Sequence, residues 1–304
     1  MSEIQIDCMD TASHLWRGRF SAMKSPCEVL LECEDESLAQ QHLQWARQEA
    51  LRIEQKFSRF LDESVIGHLN RTQGQWVEVD AETQALLDFA DQCWQLSDGW
   101  IDVTVGRYFQ LWRFDGKTPP PSRKQLKQLA PFIGWEKVKR RAGAVFLPEG
   151  VQIDLGGIGK EYAVDKVAVA LSQASELSGV LVNFGGDIHA ITPRKTGQPW
   201  QIGVEQVRAG AEENLTLSFS KGAIATSGST YRFVVDKRGK KLGHILNPHT
   251  GWPVRRGPVS VTVLAQTAIQ AGLLSTLAML KGEKAEAFLQ GEGVQHYCQW
   301  EDKK

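Results

Sequence analysis

Within seven residues the chain places a carboxylate, three glycines and a lysine: Asp154-Leu155-Gly156-Gly157-Ile158-Gly159-Lys160. Glycine lets a backbone turn tightly and lets a ligand reach its N–H groups with no Cβ in the way. A helix that starts at such a turn aims its unpaired N–H groups, and the positive end of its dipole, at whatever binds. The chemistry favoured is anion binding, phosphate above all. The spacing is neither G-x-G-x-x-G nor a Walker loop, so neither nucleotide fingerprint applies.

Other clusters hold polar or reactive groups, each with a plain structural reading beside the chemical one. Ser58-Arg59-Phe60 leads to Asp62, Ser64 and His68-Leu69-Asn70, which fits a helix end with side-chain capping. Gly99-Trp100-Ile101-Asp102-Val103-Thr104-Val105-Gly106 fits a turn and strand with a buried polar pair. Asn183-Phe184-Gly185-Gly186-Asp187 is a strand entering a tight turn, a place that favours Asp by itself. Ala225-Thr226-Ser227-Gly228-Ser229 reads as a loop of hydroxyls and N–H groups suited to phosphate. His244 and His249 sit in a run of turn formers, as bases, metal ligands or structural histidines. Ser275-Thr276 falls inside an apolar helix, where hydroxyls usually bond back to a carbonyl one turn earlier.

The elements that must position these groups are legible in outline. Residues 28–33 read as a strand, and Leu43, Ala46, Ala50, Ile53 and Phe57 mark one face of a helix. Trp76-Val77-Glu78-Val79 alternates like a strand; Asp80 caps a helix through Leu96 that Gly99 closes. Ile153-Asp154-Leu155 reads as a short strand before the glycine turn, and a helix runs from about Lys160 to Leu171. Strands follow at 180–184, 200–204, 215–219 and 259–263, then a helix from about Thr267 to Leu280. No regular βαβ alternation appears, so the fold class is α+β.

Composition narrows the function. At 304 residues and 42% hydrophobic, the chain can bury a sizeable core. A net charge of −1 gives no basic field for nucleic acid, though a small anion stays open. Five scattered cysteines with no C-x-x-C spacing argue against zinc and against a disulfide framework. There is no G-x-S-x-G elbow and no H-E-x-x-H. No window spans a membrane, and the N-terminus reads as no signal peptide. The expected location is cytoplasmic, or periplasmic if a leader has been removed. The residues therefore describe an enzyme or a ligand-binding protein with an anion-friendly site.

Taken in order, the clusters resemble the ApbE family of flavin transferases (FAD:protein FMN transferases) from about Phe20 to Gly282. The likeness rests on Ala22-Met23-Lys24-Ser25-Pro26, Ser58 to Asn70, Trp100 to Gly106 with Leu111-Trp112, and the turn after Asp154. It continues through Val182 to Asp187, Thr226-Ser227-Gly228, His244 to Val254 and Ser275-Thr276. The resemblance implies a T-fold-like α+β architecture of two interleaved subdomains with FAD in the cleft between them. It implies a single domain over 15–300, with 1–14 and 301–304 as flexible termini.

It also implies Mg2+-dependent transfer of FMN from FAD to a Thr or Ser hydroxyl of an acceptor flavoprotein subunit, releasing AMP. By resemblance, Met23, Phe60, Trp100, Ile101, Asp102, Asp154, Lys160 and Ile245 match FAD-contacting positions. Gly157, Ser275 and Thr276 match the metal site, and Asp154, Lys160 and Thr276 form the catalytic set. His244, Thr226 and Ser227 would shape the cleft wall. The chain departs from the family pattern at four places. Gly272 stands where a metal-binding Asp is usual, Glu161 and Lys24 where glycines are, and Phe60 where a Tyr is. Asp187, Glu161 or water would have to replace the carboxylate, and Gly272→Asp is expected to raise metal affinity. The alternatives are an FAD-binding carrier, sensor or scaffold that has lost transfer, and an FAD pyrophosphatase.

Overall fold

The structure is a computed structural model that describes residues 3–207 and 215–301. Of the tail expected to be flexible, 302–304 lie outside the described residues, as do 1–2. The chain opens with strands β1 (Gln5–Asp10), β2 (Leu15–Ala22) and β3 (Ser25–Glu32). Residues 5–10 were expected within a flexible terminus; they pair instead with β2 as an edge strand. Helix α1 (Glu36–Phe57) follows, capped by Asp35 and burying the expected face Leu43, Ala46, Ala50, Ile53 and Phe57.

Then come α2 (Val65–Arg71), β4 (Trp76–Glu78), α3 (Ala81–Leu96), α4 (Arg123–Leu129), β5 (Lys139–Arg141) and β6 (Ala144–Phe146). Next are α5 (Gly159–Leu171), β7 (Ser178–Phe184), β8 (Asp187–Ala190), β9 (Trp200–Val204), β10 (Leu215–Phe219) and β11 (Gly222–Gly228). The chain finishes with β12 (Phe233–Val235), β13 (Lys241–Gly243), β14 (Ser260–Ala265), α6 (Ala268–Lys281), α7 (Ala285–Gly291) and β15 (Gln295–Gln299).

Eight strands make one antiparallel sheet in the order β1-β2-β3-β7-β8-β11-β14-β15. Helices α1, α5 and α6 pack side by side on it. Strand side chains alternate between faces. Val180, Val182 and Phe184 therefore join the main core with α1 and α5, while Leu181 joins Ile188 and Ile224 on the other face. That second face is covered by the β9–β10 hairpin through Trp200, Ile202, Leu217 and Phe219. A separate core holds Tyr108, Trp112, Leu126, Ile133, Val234, Leu242 and Leu246. Its members come from two stretches far apart in sequence, so the two parts of the molecule interleave.

Three local readings change. Ile153-Asp154-Leu155 is extended but belongs to no sheet. Asn70 holds it, accepting from Ile153 N–H at 2.7 Å and donating to Ile153 C=O at 2.8 Å. The run after Asp102 is a 3-10 helix over Val103–Gln110, started by Asp102 as its cap, rather than a strand. Thr226-Ser227-Gly228 ends strand β11 instead of forming a loop. Among the described residues, no helix is long and apolar enough to cross a membrane.

Candidate active site

The glycine turn is organised by Asp154. Its Oδ1 accepts from Gly156 N–H at 2.9 Å, and its Oδ2 meets Arg59 Nε at 2.8 Å. Its own N–H donates to Val103 C=O at 2.7 Å. Gly106 closes on it from the 3-10 helix, where a Cβ would stand 2.3 Å from Asp154 Cβ, so only glycine fits. Helix α5 then starts with Ile158 at its cap position and no side chain accepting from its first turn. No side chain caps the helix, and the acid of its first turn is Glu161. Around Gly157 there is open space.

The next two residues point into the molecule. Lys160 Nζ pairs with Asp187 Oδ2 at 2.7 Å and lies 3.4 Å from Gly185 C=O. Burial pushes the lysine pKa down, but Asp187 and Glu161 outweigh it and hold the ammonium above its usual value. Burial drives the Asp187 carboxyl up against the pull of Lys160. Glu161 is driven up by burial first and by the Asp187 charge second. Its Oε2 is buried and has no hydrogen-bond partner. The Glu161 side chain lies against Gly272 of α6, where a Cβ would stand 2.7 Å from Glu161 Cγ and 2.8 Å from Oε1. An aspartate at 272 would compete with Glu161 for that space. Gly272→Asp would therefore require the Glu161 side chain to move.

One turn further along the same face of α6 stand Ser275 and Thr276. Ser227 Oγ, at the end of β11, lies 2.9 Å from Ser275 Oγ and 3.0 Å from Thr276 Oγ1. Ser275 is fully buried and donates to Gly272 C=O at 3.0 Å, the back-bond expected of a mid-helix hydroxyl. Thr276 is only partly buried, so it is the more available of the two. Thr226 points the other way, with its Oγ1 2.9 Å from Thr262 Oγ1.

A cationic and aromatic lip adjoins the turn. Met23 and Lys24 both adopt left-handed backbone, at φ 52° and 57°, in the turn between β2 and β3. That is the conformation a glycine would take without strain. Lys24 Nζ and Arg59 Cζ each sit 4.2 Å from the centroid of the Phe60 ring, which is 63% exposed. Trp100 meets His249 edge-on at 5.6 Å and has Lys281 Nζ 4.9 Å from its ring. Ile101 N–H donates to Ser97 Oγ at 2.9 Å.

Asp102 is turned inward. Its carboxylate accepts from Thr104 N–H, Thr104 Oγ1 and Trp135 N–H at 2.7, 2.6 and 3.0 Å, and burial pushes its pKa up. It borders a cavity of about 330 Å³ with Trp94, Gly99, Tyr108, Gly134 and His249, behind the Trp100 segment. Ile245 packs with Val261, Val263 and Met279. His244 is half-buried with its Nδ1 enclosed, and desolvation first, then the Arg232 charge, brings its pKa down to about 4.

Asp154, Gly157 and Lys160 thus stand at the start of α5, and Ser275 and Thr276 on α6, the helix that packs against it. Arg59, given no role from sequence, pairs with Asp154 at the turn; Glu161 and Asp187, expected only as replacements for the missing carboxylate, and Ser227, expected in the cleft wall, lie against the same two helices. The signal for Glu161 was its departure from glycine, answered by the loss of a carboxylate at 272. Among the described residues, no three or more His, Cys, Asp or Glu gather as a metal-holding group, so a cation here would depend on hydroxyl, carbonyl, substrate and water oxygens beside few carboxylates. A buried orphan carboxylate oxygen near hydroxyls fits a hard, oxygen-seeking cation such as Mg2+.

An antiparallel sheet under helices, with an uncapped glycine turn, a partly buried lysine and a set of oxygen donors, defines an α+β protein suited to an anionic ligand. The chain belongs to the ApbE family, whose pattern it matches over residues 23–298. The FAD:protein FMN transferase of Haemophilus influenzae is 30% identical over 243 residues, covering 76% of this chain and 70% of that protein. The FAD:protein FMN transferase of Escherichia coli K12 is 32% identical over 213 residues, covering 66% of this chain and 60% of its own length. The crystal structure of the ApbE protein of Thermotoga maritima superposes with a TM-score of 0.83 at 33% identity, covering 93% and 94% of the two chains.

Proposed function

We propose that this chain is a Mg2+-dependent transferase that moves the FMN half of FAD onto a Thr or Ser hydroxyl of an acceptor flavoprotein subunit, releasing AMP. The observations that carry this reading are the uncapped α5 start with Lys160 beside it and the Ser227–Ser275–Thr276 hydroxyls on α6, the helix that α5 packs against. In the reaction the acceptor oxygen bonds to the FMN phosphorus, and the bridging P–O bond to that phosphorus breaks. AMP leaves with the bridging oxygen, and the hydroxyl proton passes to solvent. Magnesium, when bound, offsets charge on the phosphoryl oxygens.

The chain's own groups prepare that step. Lys160, fixed by Asp187 and Gly185, supplies a positive charge beside the turn. The first-turn N–H groups of α5 offer phosphate oxygens the favourable end of a helix. Asp154 acts by shaping the turn and fixing Arg59, since both of its oxygens are already engaged. Exposed Phe60, with Met23, Trp100 and Ile101, supplies apolar surface for the ring systems. Asp102 contributes through the backbone it caps.

The test is mass spectrometry of an acceptor domain, known to be flavinylated by a relative, after incubation with this protein, FAD and Mg2+. The expected result is a gain of one FMN on a Thr or Ser that disappears with chelator. FAD converted to FMN and AMP with the acceptor unmodified would make the protein a pyrophosphatase. Intact FAD bound and never transferred would make it a carrier.

A further inference from the structure

We propose that the metal-binding carboxylate of this chain is Glu161, delivered from α5 into a notch that Gly272 opens in α6. The inference rests on the metal-dependent reading above and deepens it. Three observations carry it. The first is an orphan: Glu161 Oε2 is enclosed and makes no hydrogen bond. A buried carboxylate oxygen left unpaired is costly, and a cation is the partner that relieves it.

The second is charge. Lys160, the residue before Glu161, is paired with Asp187 at 2.7 Å. That ammonium is thus engaged by Asp187, and among the described residues Glu161 Oε2 has no cationic partner of its own. Asp165, on the same helix, does not change this balance. It is committed to His189 Nδ1 at 2.7 Å and to the N–H groups of Ala268 and Ile269.

The third is space. The Glu161 carboxylate occupies the volume that any side chain at 272 would fill, on the helix face that carries Thr276 one turn later. The donors offered are the Glu161 carboxylate, the Thr276 hydroxyl and the exposed Gly157 carbonyl. Mg2+ is commonly held by one or two carboxylates together with substrate phosphates and water, so a sparse protein set is sufficient. Gly272 and Glu161 thus form one unit, in which a small residue on α6 admits the acid of α5.

The experiment uses Mn2+ as the probe and reads its binding to the full chain with FAD present, by the loss of the free-ion EPR signal. Glu161→Gln keeps the shape and removes the charge; Mn2+ binding is expected to weaken more than about tenfold. Flavin binding without metal serves as the folding control. Glu161→Gly alone should lose the metal, and Glu161→Gly with Gly272→Asp should regain most of it, because the carboxylate returns from the other helix. The proposal is overturned if Glu161→Gln binds Mn2+ like the parent. It is overturned equally if the paired exchange binds no better than Glu161→Gly, or if the parent binds no Mn2+. Glu161-dependent binding with no FMN transfer would sink only the transferase reading. Metal-dependent transfer with binding indifferent to Glu161 would sink only this one.

Discussion

His244 packs edge-on against Phe114, with ring centroids 6.2 Å apart, and its Nδ1 is buried without a partner. Burial holds it neutral, with a pKa lowered to about 4. As pH falls from about 6.5, the unfolded chain takes up a proton that the folded one refuses, so stability is lost down to the folded value. His244→Phe removes that term. The parent should lose at most about 3 kcal/mol relative to the variant between roughly pH 7 and pH 4. Urea midpoints at both ends of that range measure it, and parallel loss in the two proteins would clear His244 of the effect. At this scale the sequence showed which residue types were present but not which would meet. Glu161 and Gly272 are 111 positions apart. The sequence offered Glu161, Asp187 or water as replacement for the carboxylate missing at 272, and the packing of α5 on α6 is what sets Glu161 against Gly272.

Helix α6 is held at its start from two sides. Thr267 caps it locally, and Asp165 of α5 accepts from Ala268 N–H at 2.8 Å and Ile269 N–H at 3.0 Å. Asp165→Ala would strip two helix N–H groups and His189 of their acceptor. A cost of about 2–3 kcal/mol is expected by chemical denaturation. A loss within error would mean that water replaces the carboxylate. Helices such as α1 and α3 were legible because apolar spacing and caps agree: Asp80 caps Thr83 as expected, and α3 ends at Leu96. Segment 153–155 misled because an apolar run held by Asn70 has the same composition as a strand. The end of β11 misled in the opposite way, since hydroxyls and a glycine usually mark a loop. Here Ser227 is turned toward the hydroxyls of α6.

Across the whole molecule, Glu82 at the start of α3 ties three helices together. It receives Arg52 at 2.7 and 2.8 Å and Lys56 at 2.6 Å from α1, and Tyr162 Oη at 2.8 Å from α5. The Arg52 hydrogen bonds lead the causes that hold its carboxyl well below the usual range. A depressed carboxylate contributes stability above its unfolded pKa of about 4.3 and loses it as pH falls toward the folded value. Glu82→Gln should therefore cost about 1–2 kcal/mol near neutrality, discounted for partial exposure, and the difference should fade in acid. A difference that persists at low pH would assign the effect to packing. The α+β class and the family were readable from clusters kept in order along the chain. The cross-ties were not, because each joins residues remote in sequence. Within six residues, α5 sends Lys160 to β8, Glu161 to α6, Tyr162 to α3 and Asp165 to the α6 start. Substitutions here are consequently not independent. Whether a residue at 161 is permissible depends on what occupies 272. Mutating one site at a time would mark as forbidden some replacements that a partner change makes harmless, and this segment can diversify only by coordinated pairs.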